Sequence, residues 1–522
     1  MPRLFLTHMP LTSAHRVTDH IKSPITFAAY PQVTQLIMTT LEELLAREAD
    51  IQNTKAKLSL QIQELDDLLP NVRIRIAEIR NVNRHAVTYN IPNETLSAIF
   101  EAGLSDLVDR PINSLSFEPS ATIPFEFQVS AISRRWRNVA LSTPRLWTRL
   151  HINVLKSTED DLIDLYLFRS KTCLLDIVSK NQLLLYSGVD PYADITARFQ
   201  QHLERLLPHV TRWRKLVIMH YAEPTTLSPL AHLHVPALET IMVHSQSYFG
   251  NQHSNIMDMF SGGAPRLSSV ELQGTYFWLP RDTITSLKLD VCSFPLSEAQ
   301  FRRFMLPMRS LMHLCLHSTI CIEPIIGQPS IQLPSLLSLE LHLVYMSVGA
   351  LRLFDLPAVE TLTVHGITHN MIEAFSQHHV LYPTLQSLTV ITQHRTSKQC
   401  APATKTPDFI SLFPGVREVV FQGADSTAVL HALQDGQSAD VLLWAELSKI
   451  TIRPASQTTI AVKRQIWTYI TKLVTSRFRR GHPISQIELS ETILERCTPK
   501  QRQRLEEQVT LVECQRDVVG QD

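Results

Sequence analysis

The sequence predicts an α/β chain: a long N-terminal helix, a small helical segment, then an irregular solenoid of parallel strands. Three observations carry this. An apolar triplet spaced i, i+3, i+5 recurs from residue 147 onward. Residues 37–69 place Ile or Leu at every seventh position without glycine or proline. Glycine is scarce, at 14 in 522 residues, against a usual share of about 7%.

Composition narrows the function classes. Lys plus Arg and Asp plus Glu are 49 each, so no net field favours nucleic acid or an anionic membrane. There is no G-x-G-x-x-G, G-x-x-x-x-G-K, G-x-S-x-G or H-E-x-x-H. The common nucleotide-binding, hydrolase and zinc-protease readings therefore lack support. The seven cysteines are scattered and contain no C-x-x-C pair, which points to a reducing compartment. No apolar run reaches the roughly 18 residues needed to span a bilayer. A cytoplasmic or nuclear protein is expected, with no cofactor and no metal.

The elements follow in order. Residues 1–35 read as a disordered tail. Residues 36–82 read as a long helix or coiled coil, with d positions at 37, 44, 51, 58 and 65. Glu48 and Lys55 occupy a positions and weaken the seam, so a helix covered by its own domain is preferred over a dimer. Pro70 interrupts the pattern, which resumes at Val72, Ile76 and Ile79.

Residues 88–152 form the small helical segment. Pro92 suits a helix start, and Leu96, Ile99 and Phe100 share one face. A polar stretch from Ser105 to Pro124 reads as a long loop. One helix is then expected over 127–141, with Val129, Ile132, Trp136 and Val139 on its apolar stripe. The segment closes on S-T-P-R-L-W, ending at Trp147.

The order Ile91-Pro92, Leu96, Ile99-Phe100, Val129 through Arg134-Arg135-Trp136, and Leu146-Trp147 resembles an F-box. The preceding helix and the S-T-P-R-L-W ending are similar to the expanded F-box families of mushroom-forming fungi. Ile91 replaces the usual Leu, Ser133 the usual Cys, and the insert after Gly103 is long. The resemblance implies a Skp-type adaptor of a cullin ubiquitin ligase as partner. It implies adaptor contacts from Ile91, Pro92, Leu96, Ile99, Phe100, Val129, Ile132, Trp136, Val139 and Trp147. Three short helices are too small to bury so many large side chains unaided.

Residues 153–518 form the repeat region. Its triplets begin at Trp213, Leu238, Leu267, Ile284, Leu311, Leu336, Val359, Leu385, Val416, Leu447 and Ile484, after a first one at Trp147. Prolines 236, 265, 334, 357, 383 and 414 each stand two residues before a triplet. Helices are expected over 296–306 and 458–475. The pattern resembles the L-x-x-L-x-L core of leucine-rich repeats, which implies stacked strand-plus-helix units in a horseshoe. Residues such as His317, His342 and Gly366 follow the last apolar position, so the usual asparagine ladder is missing.

Alternation along each strand sends the second and third triplet residues inward and the residue between them outward. The expected outward row is Met242, Glu271, Lys288, Cys315, Glu340, Thr363, Thr389, Val420, Thr451 and Glu488. Glu271, Lys288, Glu340, Thr363 and Thr389 are the candidate contacts to an unknown protein target. One lysine in the row does not suit phosphates.

Other features point to no chemistry. His313 and His317 lie on one strand, too far apart for one metal. The basic run Arg477–Arg480 reads as a helix end whose cations favour the dipole. The whole chain reads as a substrate-recognition subunit of an SCF-type ubiquitin ligase, without catalysis of its own. The rivals are a repeat scaffold with a degenerate F-box and a hydrolase hidden in residues 150–520.

Overall fold

The computed structural model describes residues 31–82, 90–106, 123–154, 159–180, 192–219, 224–244, 257–290, 297–317, 328–342, 353–365, 382, 384–392, 406–423, 426–435, 442–454, 459–495 and 497–514. The chain forms two units, Met1–Pro92 and Asn93–Asp522.

The first unit holds helix α1, Pro31–Val82. It starts inside the segment expected as a tail; residues 1–30 lie outside the described residues. The helix runs through Pro70 without ending there. Leu44, Ile51, Leu58, Ile62, Leu65 and Leu69 of the predicted seam are all exposed.

The second unit opens with helices α2 (Asn93–Asp106), α3 (Phe125–Ile132) and α4 (Arg134–Ser142). The single helix expected over 127–141 is thus two. Ser133 breaks it by adopting an extended conformation, φ −157° and ψ 165°. Its hydroxyl accepts the Trp136 N–H at 3.1 Å, the hydrogen bond of an N-cap. Gly103 lets α2 approach α3 closely: a Cβ there would lie 2.8 Å from the tip of the Phe125 ring, which would have to shift. Most of the loop expected after Ser105 lies outside the described residues.

A short 3-10 turn, Pro144–Trp147, leads directly into strand β1, Arg149–Asn153. The sheet therefore begins before residue 153. The strands that follow are β2 (Leu175–Lys180), β3 (Trp213–Met219), β4 (Thr240–His244), β5 (Ser269–Gln273) and β6 (Ser286–Asp290). Next come β7 (His313–His317), β8 (Ile331–Gln332), β9 (Ser338–His342), β10 (Phe354–Asp355) and β11 (Thr361–His365). The last are β12 (Ser387–Thr392), β13 (Glu418–Gly423), β14 (Lys449–Arg453), β15 (Gln486–Ser490) and β16 (Thr510–Cys514). Fourteen of them form one sheet in chain order, while β8 and β10 pair separately.

Every neighbouring pair is parallel, and the register follows the repeat. Leu339 pairs with Leu362, and Leu362 with Leu388. Parallel neighbours need a crossover connection, and the first triplet residue anchors it. The next residue extends the ladder: Leu337 N–H donates to Met312 O at 2.9 Å, Glu360 to Leu337 at 2.9 Å, and Arg417 to Gln386 at 2.8 Å. All residues of the twelve triplets are at most 2% exposed. Each fully buried Leu, Ile or Val contributes roughly 1.5–3 kcal/mol of transfer free energy, so the repeat itself is the core.

Two strands of the fourteen-stranded sheet escaped the triplet pattern. In β2 the site paired with Ile152 and Ile218 is Ser179, a buried polar residue. In β16, the edge strand, Glu513 pairs with Leu489. The helices Glu298–Met305 and Ile460–Arg479 occupy the predicted stretches. Arg477 is not a surface residue of a basic helix end: it is fully buried and donates to the carbonyls of Leu443 and Trp444. It thereby holds the turn in which Trp444 has φ +50°.

Candidate functional site

Helices α2–α4 carry most residues of the expected adaptor surface. Leu96, Phe100, Val129, Val139 and Trp147 are buried in the single chain, so they build the core instead of an outer face. Ile99 and Ile132 are exposed, at 48% and 57%, and Trp136 is half-buried. Ile91 and Pro92 belong to the first unit.

Much of the cover for these side chains comes from the start of the sheet region, which follows the three helices in the chain. Trp147 donates its indole N–H to Ala140 O at 2.9 Å. Its ring centroid lies 5.6 Å from that of Phe127 and 5.3 Å from that of Tyr166, on helix α5 (Glu159–Arg169). The Arg169 guanidinium stands 4.2 Å over the same ring, in cation–π geometry. Phe100 packs on Trp136 at 5.0 Å. Arg149 of β1 donates to Leu104 O at 2.6 Å and ties α2 to the sheet.

Glu126 of α3 is buried in this junction and accepts the Tyr166 hydroxyl. Burial pushes its carboxyl up to about 7, and Arg149 offsets this only in part.

The outward row of the sheet is in the predicted register. Met242 pairs with Glu271, Glu271 with Lys288, Lys288 with Cys315, Cys315 with Glu340, and Glu340 with Thr363. Thr363, Thr389, Val420, Thr451 and Glu488 continue it. The five candidate target contacts, Glu271, Lys288, Glu340, Thr363 and Thr389, are all half-buried. Met242 and Thr451 are buried, so the row is not open along its whole length.

Ion pairs link the open part across strands. Glu271 Oε1 meets Lys288 Nζ at 2.8 Å and His244 Nε2 at 3.1 Å. Burial raises the Glu271 carboxyl, but the bonds from His244 and Lys288 outweigh it and hold it at about 2.

The densest group surrounds Glu340. Its Oε1 lies 2.8 Å from His365 Nε2, 3.5 Å from His342 Nε2 and 3.9 Å from His317 Nε2. The three imidazoles stack, with centroids 3.3 Å apart for His317–His342 and 3.4 Å for His342–His365. The imidazoles of His342 and His365 hold the Glu340 carboxyl well below its usual range. Burial, with the neighbouring His342, lowers His317 to about 4. Burial also lowers His342 and raises the Cys315 thiol. The ligand atoms of Cys315, His317 and Glu340 lie within 4.8 Å of one another, as do those of Glu340, His342 and His365.

Sequence reasoning missed this group, and its expectation of no metal-binding set rested on spacing along one strand. It also placed Gly366 beside His317 and His342, whereas the register partner of His342 is His365. The signal was present: one residue past the last apolar position, three successive triplets carry histidine.

Among the described residues no helix is long and apolar enough to cross a membrane. No protein-family model and no curated protein matches the chain. Among solved structures it is similar to a structural-genomics protein from Bacteroides fragilis. That likeness has 12% identity over 59% of this chain and 75% of the other, with a TM-score of 0.28.

Proposed function

We propose that this chain is a substrate-recognition subunit of an SCF-type ubiquitin ligase. In this reading α2–α4 and the turn ending at Trp147 act as an F-box that binds a Skp-type adaptor joined to a cullin. The parallel strands are an irregular leucine-rich-repeat horseshoe, and their outward row meets a protein target in the cytoplasm or nucleus. The chain performs no chemistry itself and contributes proximity.

The observation that carries the reading is the split exposure of α2–α4. Ile99 and Ile132 face solvent on helices whose other apolar residues are largely buried. Such residues suit a partner that lays an apolar groove or helix against them. Their place at the head of a long repeat array matches the order of the resemblance.

The test is co-purification of the full chain with a Skp-type adaptor, comparing the native sequence with an I99D/I132D double variant. Capture by the native chain and its loss in the variant is the expected result. No capture by the native chain leaves the scaffold reading instead. The two readings share the sheet and differ only in the helices.

A further inference from the structure

Three neighbouring strands of the sheet end alike. In β7, β9 and β11 the last inward residue is followed at once by histidine: Leu316-His317, Leu341-His342 and Val364-His365. Adjacent strands lie about 4.8 Å apart, so equivalent side chains on them meet, and here the rings stack. Glu340, two residues before His342, reaches the Nε2 edges of all three with one oxygen, at 2.8 to 3.9 Å. One carboxylate oxygen does not satisfy three ring nitrogens. The His342 Nε2 atom is buried, and its approach to Glu340 Oε1, at 3.5 Å, forms no well-aligned hydrogen bond.

We propose that Glu340, His342 and His365 bind one divalent transition-metal ion, zinc being the best match, with His317 and Cys315 on its flank. Two imidazole nitrogens and a carboxylate are a zinc donor set, whereas magnesium and calcium take oxygen ligands. A metal–nitrogen bond of about 2.0–2.1 Å places two tetrahedral ligand nitrogens about 3.4 Å apart. The ligand atoms of Glu340, His342 and His365 lie within 4.8 Å of one another, so a modest contraction brings them to that spacing. Imidazole lone pairs lie in the ring plane, so binding one ion requires the two rings to turn out of their stack about their side-chain bonds. The ion takes the buried His342 Nε2, which Glu340 Oε1 meets only at 3.5 Å. Three protein ligands leave a fourth position, which His317, Cys315 or a partner's side chain can reach. This site is independent of the adaptor reading, since no residue of α2–α4 takes part.

The test uses the full chain, stripped with a chelator and titrated with Zn2+ by calorimetry and with Co2+ by visible absorption. One ion per chain is expected, weakened more than about tenfold by H342Q and by H365Q. Glutamine keeps a polar side chain of moderate size at each position, and circular dichroism checks that each variant is folded. H313Q, at an exposed position of β7, leaves binding unchanged. The proposal is overturned by the absence of stoichiometric binding. It is equally overturned by undiminished binding in a folded H342Q/H365Q double variant, which assigns the ion to other histidines.

Discussion

The helices before the sheet and the strands within it use apolar side chains differently. In the strands every triplet residue is at most 2% exposed, and the outward row is polar over most of its length. In the helices burial divides neighbours: Phe100 is in the core while Ile99 beside it is 48% exposed. The same two regions treat carboxylates in opposite ways. Glu126 is buried against Tyr166, and its pKa rises to about 7. Glu271 is held between His244 and Lys288, and its pKa falls to about 2. Burial raises both carboxyls; at Glu271 the bonds from His244 and Lys288 together outweigh it, and at Glu126 the opposing contributions do not.

The largest effects belong to the core shared by both regions. Trp147→Ala should cost roughly 3–5 kcal/mol, because the ring is fully buried between Phe127 and Tyr166. Leu339→Ala in the middle of the sheet should cost roughly 2–5 kcal/mol. Urea unfolding monitored by hydrogen exchange separates the two. If the helices and the sheet form one cooperative body, Trp147→Ala lowers protection in β1 as well as in α4. Loss confined to α4 would make the helices a separately melting cap.

That unity was only partly legible in the sequence. The triplets exposed twelve of the sheet's strands because the core needs an apolar side chain at every inward site. Ser179 and Glu513 hid the other two, since a polar residue at one inward site erases the pattern while neighbouring strands still impose the register. Ser133 stood out only as a replacement for the usual Cys, and its capping bond forms only because the helix breaks there. The histidine group was invisible to spacing along a strand. It depends on which residue of one repeat pairs with which of the next, and an error of one position removed His365 from it.

The two carboxylates give the next test, and their signs are opposite. Glu126 has a folded pKa of about 7, above its ordinary value of 4.5. The folded chain then binds more protons than the unfolded one between these values. Its contribution is complete below about pH 4.5 and is lost as pH rises through about 7. The upper bound is roughly 3 kcal/mol, so E126Q should stabilise the chain at pH 8 and do little at pH 4.5. Glu271 is depressed to about 2, so its contribution is present above 4.5 and is lost as pH falls toward 2. E271Q should flatten the acid limb of the stability curve and leave pH 8 less stable than the native chain. Denaturant midpoints at several pH values read both, and parallel pH profiles for the two variants would break the contrast between the regions.

The smallest stability effect should fall on the exposed helical residues, and there its smallness is the argument. Ile99 and Ile132 are 48% and 57% exposed, so removing them surrenders little burial within the chain. Ile99→Asp and Ile132→Asp should each change stability by about 0.5 kcal/mol or less, the range of ordinary surface substitutions. An effect of that size would separate them from Phe100 and Val129, whose replacement by Ala opens a cavity and should cost several-fold more. If the aspartates instead destabilise the chain as much as Phe100→Ala does, these isoleucines are part of the core. The helices would then be complete without a partner, and the difference between the two regions would reduce to one of secondary structure.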